Sequence, residues 1–374
     1  VVNEQDLRRQ LLVYLTAGRS VRSPQWRQAV AVTGRHEFLR GGFFRQVPGS
    51  APTAWEPVMP GDEGWLSGCY SDVSVVTQVA GTIVPGDIHG RILRQPTSSS
   101  TAPGLVVRML EDLEVQDGMR VLEIGTGTGY CTALLCHRLG DDLVTSVEID
   151  PVVAAGAATT LATLGHAPEM ITGDGLAGHK DGAPYDRIIA TCGVLTVPEQ
   201  WIAQTRPGGQ ILATLSGWMH STELARLTVH DDGTATGRLL GGQVSFMIAR
   251  PHQPPPLGTL PDLDAGSARD TTIDAGILDD WAARFVAQIA APAAQRLHLG
   301  DRGQLLVDTD AGSWALLQPG PHGWRVRQGG PERLWDAIED HLQRWRHDGS
   351  PALDQFRITI TPDGRHAYTW PHAR

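Results

Sequence analysis

The stretch Val121–Tyr130, Val-Leu-Glu-Ile-Gly-Thr-Gly-Thr-Gly-Tyr, constrains this chain more than any other. Val121, Leu122 and Ile124 make the short apolar run expected of a strand buried on both faces of a parallel sheet. Gly125, Gly127 and Gly129 follow at alternate positions, and Cys131–Leu139 reads as an apolar helix. Strand, glycine turn and helix in this order form the first crossover of a doubly wound α/β domain, where a nucleotide-like ligand lies beyond the strand's carboxyl end. The glycines let the backbone turn sharply and approach that ligand without an intervening side chain. The dinucleotide fingerprint G-x-G-x-x-G needs a small residue at position 130, and this chain has Tyr130 there.

The spacing is instead an acid, Glu123, ahead of three alternating glycines, with Thr126 between the first two. That pattern resembles the first motif of S-adenosylmethionine-dependent methyltransferases. Two further landmarks agree with it. Thr145–Asp150 reads as a second strand ending in acids, where the carboxylate of Glu148, followed by Ile149, can accept both ribose hydroxyls. Gly173-Asp174-Gly175 follows a third apolar stretch, and Asp174 there can meet an adenine amino group. A Rossmann-like domain built for another nucleotide is the alternative.

The net charge of −10 argues against broad affinity for nucleic acid or anionic membrane. Lys180 is the one lysine among 31 basic residues, a bias we read as a high-GC genome. Cys69, Cys131, Cys136 and Cys192 show no C-x-x-C spacing and no accompanying His cluster, so no metal is expected. Four such cysteines suit a reducing cytoplasm. No apolar run is long enough to span a membrane and no signal peptide is visible, so we expect a cytoplasmic protein, and a monomer.

Along the chain, Glu4–Leu15 and a segment opened by Ser23-Pro24 read as helices, with Tyr14, Trp26, Val30 and Val32 among their apolar residues. Residues 40–90 read as loops and short strands over a site, Thr82–Val84 being one candidate strand. Pro103 suits the first turn of a helix carrying Val106, Met109 and Leu110. The hydroxyl run Ser98-Ser99-Ser100-Thr101 would then lie at a helix N-terminus, a place that favours a carboxylate. An ordinary Ser/Thr cap and loop is the plainer reading of the same residues. Asp186–Thr191 and Gln210–Leu215, separated by a turn at Pro207-Gly208-Gly209, read as the fourth and fifth strands, and Val244–Ile248 as the last.

Thr101-Ala102-Pro103, Leu113-Glu114-Val115 and Gly118–Gly125, with Arg35–Phe38, Tyr70-Ser71-Asp72, Pro184–Ile189 and Gly242–Phe246, look like the protein-L-isoaspartate O-methyltransferase family. The resemblance covers about residues 35–250 and is most specific over 100–215. It implies S-adenosylmethionine as cofactor, held by Glu123, Gly125, Thr126, Gly127, Gly129, Glu148, Ile149, Asp174, Gly175 and Thr191. It also implies that Thr101, with Ser100, lies beside the substrate carboxylate as the catalytic pair. Ser98, Ser99, Val244 and Ser245 would line the substrate site. The family more often has alanines where this chain has Cys192-Gly193.

We therefore expect an α/β fold, a Rossmann-like class I methyltransferase with a doubly wound sheet and a smaller α+β C-terminal extension. Its expected parts are residues 1–95, helices and loops packed on the catalytic domain; 96–250, the cofactor-binding catalytic domain; 251–276, a Pro/Gly/Asp-rich linker; and 277–374, an accessory domain for peptide recognition. In that last part Ile277–Ala291 and Glu332–Trp345 read as helices, and four stretches as strands: 305–308, 313–318, 356–360 and 366–370. An extension of this kind, with the hydroxyl run before the proline, resembles a subgroup that tailors ribosomally made peptides beside graspetide, lanthipeptide or lasso-peptide machinery. This implies methylation of an aspartate in a modified precursor peptide, then aspartimide or isoaspartate. General isoaspartyl repair is the alternative, and a cofactor-binding scaffold without turnover is a third.

Overall fold

A computed structural model describes residues 3–321 and 323–372. The chain divides into two compact units. The first runs from the N-terminal helix to Thr191 and also takes in Pro198–Leu212 and Thr228–Gly233; the second holds Cys192–Val197, Ala213–Leu227 and everything from Thr234 onward. The division thus passes through the strands Tyr185–Val194, Thr205–Leu215 and Glu223–Val229, away from the boundary read at residue 250.

In the first unit Val121–Ile124 is central to a parallel sheet. Val144–Glu148 lies on one side and Tyr185–Val194 on the other, with Glu169–Thr172 outside Val144–Glu148. Val121, Leu122 and Ile124 are buried, as a strand covered on both faces requires. The chain leaves Ile124 toward one neighbour and later returns on the other side, which makes the carboxyl end of this strand a topological switch point and opens a crevice there. Helices Tyr130–Leu139 and Pro151–Thr163 cover the sheet, the second capped by Asp150, whose Oδ1 accepts from the Val152 and Val153 amides.

The N-terminal residues form two helices, Glu4–Ala17 and Pro24–Val32, and a four-stranded antiparallel sheet. Its order is Trp55–Val58, Phe43–Gln46, Val75–Val79 and Pro96–Ser100. Tyr14 and Val32 are exposed, against expectation, because the apolar faces of these helices are narrower than their composition suggests. Thr82–Val84 is no strand; only Ile83 makes an isolated bridge, to Val79. The buried amide of Gln78 ties this sheet to the nucleotide-type fold, donating to Asp150 Oδ2 at 3.2 Å and accepting from Thr97 at 2.7 Å.

In the second unit a five-stranded antiparallel sheet runs Ser267–Thr271, Gly323–Gly329, Ser313–Gly320, Gln304–Asp308, Gln295–His298. Helices Trp281–Ala290 and Leu334–His347 accompany it. Trp314, Trp335 and Trp345 are buried, as core residues should be. Ser267–Thr271 lies inside the stretch read as a linker; its polar residues conceal a strand that pairs with Gly323–Gly329. Val244–Ile248 is likewise not a strand, its one pairing being the parallel bridge Gly193–Ile248. Strands Glu223–Val229 and Ala235–Leu239 take that place in the chain, and Ala235–Leu239 pairs with Arg357–Ile360. Pro207-Gly208-Gly209 is no separate turn but belongs to the strand Thr205–Leu215.

Candidate functional site

Around the carboxyl end of Val121–Ile124 the glycines do three different jobs. Gly125 takes φ +91°, and a side chain there would meet Thr191 Oγ1 at 2.9 Å. The Thr191 hydroxyl donates to the Gly125 and Ile124 carbonyls, so it holds the turn instead of facing a ligand. Gly127, at φ +55°, is the close-approach glycine: a Cβ there would stand 3.3 Å from the Ser99 carbonyl oxygen. Gly129 serves packing, since its Cβ would press on Ala157 and Leu161 of the neighbouring helix. Tyr130 is buried and packs edge-on against Phe38 with ring centroids 5.8 Å apart. A large residue is kept at that position because it anchors the N-terminal segment.

Glu148 ends the second strand as the ribose-accepting assignment requires. Its Oε2 accepts from the Gly127 amide at 2.9 Å and its Oε1 from the Asp150 amide at 3.1 Å. Each carboxylate oxygen keeps a further lone pair for a ligand hydroxyl. Ile149 beside it is half-buried and Asp174 is exposed. One Asp174 oxygen caps the short turn at Leu176, and the other has no partner among the described residues. Gly175 is a packing glycine, its missing Cβ making room for Ile124, with its carbonyl fixed by the buried Trp201 indole.

Glu123, expected to touch cofactor, is instead fully buried beneath the turn. Its Oε2 accepts from Thr132 at 2.5 Å and Ser146 at 2.7 Å, and Ser146 accepts in turn from Thr126 at 2.6 Å. Its Oε1 is unpartnered. Burial raises the Glu123 carboxyl above its usual value, against the lowering effect of these hydroxyls. The folded protein then keeps a proton that the unfolded chain releases, so stability falls as pH rises from the ordinary to the raised pKa. Glu123→Gln keeps an acceptor without a charge. We expect it to flatten that fall and to match or exceed the wild type's melting temperature in mildly alkaline buffer. Equal destabilisation in acidic and alkaline buffer would assign the ionised form to the native state.

The hydroxyl run is where the structure departs most from the sequence reading. Pro96–Ser100 is a strand paired with Val75–Val79, so Ser98–Ser100 do not gather at a helix N-terminus. Ser98 is buried and accepts from Thr77 at 3.3 Å; Ser100 is buried and accepts from Arg35 Nε at 3.3 Å. Ser100 is therefore removed from the catalytic pair. The helix Pro103–Asp112 does start with a carboxylate, but it is the chain's own: Asp72 Oδ1 accepts from the Gly104 amide at 2.6 Å. Thr101 lies between strand and helix, half-buried, its hydroxyl without a partner among the described residues. Ser99, half-buried, brings its carbonyl against Gly127, so the strand leading into Thr101 touches the glycine turn.

In the second unit Val244 is buried, its carbonyl accepting from Thr222 at 2.5 Å, so it offers no open lining; Ser245 is exposed. Cys192 is half-buried, and Gly193 is required because a Cβ would lie 2.3 Å from Ser216 Oγ. Cys131 and Cys136 are core residues whose thiols burial pushes up. No linear spacing foretold that Cys136, Asp141 and His166 would place ligand atoms within 4.8 Å of one another. They already serve each other, with His166 Nδ1 3.1 Å from Asp141 and the second Asp141 oxygen on the Ala167 amide. Among the described residues no helix is long and apolar enough to cross a membrane. Arg35, fully buried between the 69–73 loop and residues 100–101, is the residue that sequence reading undervalued.

The crevice fits a nucleoside ligand. A left-handed glycine approaches it, two acids stand beyond adjacent parallel strands, and each acid retains accepting capacity. Residues 86–247 match the family model described as protein-L-isoaspartate(D-aspartate) O-methyltransferase. The protein-L-isoaspartate O-methyltransferase of Thermococcus onnurineus (strain NA1) is 36% identical over 149 residues, 39% of this chain and 67% of that relative. That of Pyrococcus abyssi is 36% identical over 148 residues, covering 39% and 68%. A solved structure titled protein-L-isoaspartate O-methyltransferase aligns with 97% of this chain and 99% of its own at 21% identity, with a TM-score of 0.59. That likeness in fold runs into the C-terminal residues, which the sequence reading had set outside the repair enzymes. With the motif order, the crevice and these relatives in agreement, the chain belongs to the protein-L-isoaspartate O-methyltransferase family of S-adenosylmethionine-dependent enzymes.

Proposed function

We propose that this protein transfers the methyl group of S-adenosylmethionine to an aspartate side-chain carboxylate of a conformationally constrained ribosomal precursor peptide, the ester then closing to an aspartimide. The observation that carries the transfer itself is the adjacency of Ser99 to Gly127, which puts the unpartnered Thr101 hydroxyl just beyond a strand abutting the glycine turn. The constrained-peptide substrate rests on the sequence resemblance.

Bound S-adenosylmethionine supplies an electrophilic sulfonium methyl to a carboxylate oxygen. An aspartate of pKa about 3.9 is already ionised at neutral pH, so this chain need not move a proton. Its residues have three tasks. Glu148 and Asp174 accept hydrogen bonds from the hydroxyl and amino groups of the nucleoside; the glycine turn admits it closely; Thr101 donates one hydrogen bond that orients the attacking oxygen. Closure to the imide follows off the enzyme, when a backbone nitrogen attacks the ester carbonyl and methanol leaves.

Isoaspartyl repair is the second reading, favoured by the relatives and by the fold likeness over almost the whole chain. The two part on substrate shape. A linear peptide loses roughly 1–2 kcal/mol of chain entropy per residue ordered on binding, most of which a macrocycle has lost beforehand. We expect mass spectrometry to show gain of a methyl group and later loss of methanol on a macrocyclised aspartyl precursor, with its linear form and short isoaspartyl peptides left unmodified. Turnover of linear isoaspartyl peptides with none on a cyclic precursor would establish repair.

A further inference from the structure

Arg35 is a charged side chain in the interior with no ion-pair partner among the described residues. Its Nη1 donates to the Cys69 and Ser71 carbonyls, both at 3.1 Å. Its Nη2 donates to Val73, Ser100 and Thr101 carbonyls at 3.0, 3.0 and 3.2 Å, and its Nε to the Ser100 hydroxyl. Desolvation lowers its pKa, as burial of any cation does, yet a guanidinium stays protonated. Burying a charge among carbonyls and one hydroxyl is costly, and an apolar residue would fill the space more cheaply. Two segments meet on it, the 69–73 loop and residues 100–101. The loop fixes the next residues as well: Ser74 Oγ accepts from the Ala102 amide at 3.0 Å and Asp72 from the Gly104 amide. The contacts to the Ser100 and Thr101 carbonyls and to the Ala102 and Gly104 amides restrain the backbone on both sides of Thr101, and the Thr101 hydroxyl is left with no partner among the described residues.

We propose that Arg35 is the positioning residue of the methyl-acceptor site. It fixes the Thr101 peptide so that the hydroxyl faces the acceptor, and its charge, which Asp72 offsets only through space, favours a peptide carboxylate there. This rests on the assignment of Thr101 to the acceptor. Lysine keeps the charge with three donors on a flexible stem and cannot reproduce the planar fork. Methionine removes both.

The test uses the full chain, S-adenosylhomocysteine as cofactor probe, and isoaspartyl and macrocyclic aspartyl peptides as acceptors. In Arg35→Lys, hydrogen exchange over residues 69–74 and 98–105 should quicken by about tenfold or more while 121–130 stays unchanged. On whichever peptide the wild type methylates, kcat should fall about a hundredfold with cofactor affinity preserved, the cost of a small misplacement. Arg35→Met should add a rise in KM that Arg35→Lys lacks, because only methionine loses the charge. Should Arg35→Met not fold, Ser100→Ala, which deletes only the Nε acceptor, should give a smaller fall in kcat in the same direction. Unchanged local exchange in Arg35→Lys, or acceleration spread through the whole unit with matching loss of cofactor affinity, would overturn the proposal. A wild type that methylates neither peptide would refute the acceptor assignment, and local exchange would still decide whether Arg35 fixes the segment.

Discussion

Gly127→Val is expected to abolish binding of S-adenosylhomocysteine in calorimetric titration while leaving the parallel sheet folded. Residue 127 sits at φ +55°, where a β-branched residue is strained. Its Cβ would already stand 3.3 Å from a backbone oxygen, that of Ser99, and the γ-methyls would intrude on the ligand crevice. Ser99 cannot retreat easily, because its strand is paired with Val75–Val79 and Ser100 is gripped by Arg35. Displacing the turn would also break the Gly127 amide contact to Glu148 and so loosen the ribose acceptor. Glu148→Ala, which removes the acceptor but not the cradle, should weaken binding by about 1.5–3 kcal/mol, the range for hydrogen bonds to a charged group. Gly127→Val binding as tightly as wild type would move the cofactor away from this turn.

Thr101→Val is expected to separate chemistry from binding. The hydroxyl makes no hydrogen bond among the described residues, so an isosteric valine leaves no buried partner stranded and should keep the melting temperature. The substrate carboxylate would lose one donor, and kcat should fall about ten- to a hundredfold with S-adenosylhomocysteine affinity unchanged. Initial rates of methyl transfer together with calorimetry check this. Parallel losses in both would make Thr101 a cofactor contact, and no loss in either would remove it from the acceptor site.

The proposed cofactor side was legible in the sequence because its signals are local. An apolar run, alternating glycines and an acid at the end of the next strand are dictated within a few residues of each other, and Val121–Ile124, the turn and Glu148 stand where periodicity put them. The proposed acceptor side was not, because its order comes from contacts far apart in sequence. Ser98–Ser100 have little tendency to form strands, yet pairing with Val75–Val79 extends them. The helix N-terminus at Pro103 looked open to a ligand, but Asp72, remote in sequence, caps it. Glu123 looked like a ligand group because it precedes the glycines; its alternation in the strand turns it inward to Thr132 and Ser146. Gly129 and Gly175 match the motif for reasons of packing that only neighbouring helices and Ile124 reveal.

The same long-range pairing limits what truncation can say about the C-terminal residues. Removing 277–374 would strip Arg357–Ile360 from Ala235–Leu239 and leave an open strand edge within the second unit. Loss of activity in such a truncate would therefore report damage to that sheet as readily as loss of peptide recognition. A role of 277–374 in recognising the peptide remains our proposal, and surface substitutions within the unit are the sounder probe.

The central claim, methyl transfer to a carboxylate beside Thr101, is tested most directly by incubating the wild-type protein with methyl-deuterated S-adenosylmethionine and candidate peptides. The label is then followed by mass spectrometry before and after mild base. The account predicts a deuterated methyl on an aspartyl or isoaspartyl carboxyl, released by base as an ester must be, and gained much more slowly by Thr101→Val. Label that resists base, or that is gained by the peptide equally fast in both proteins, would contradict it.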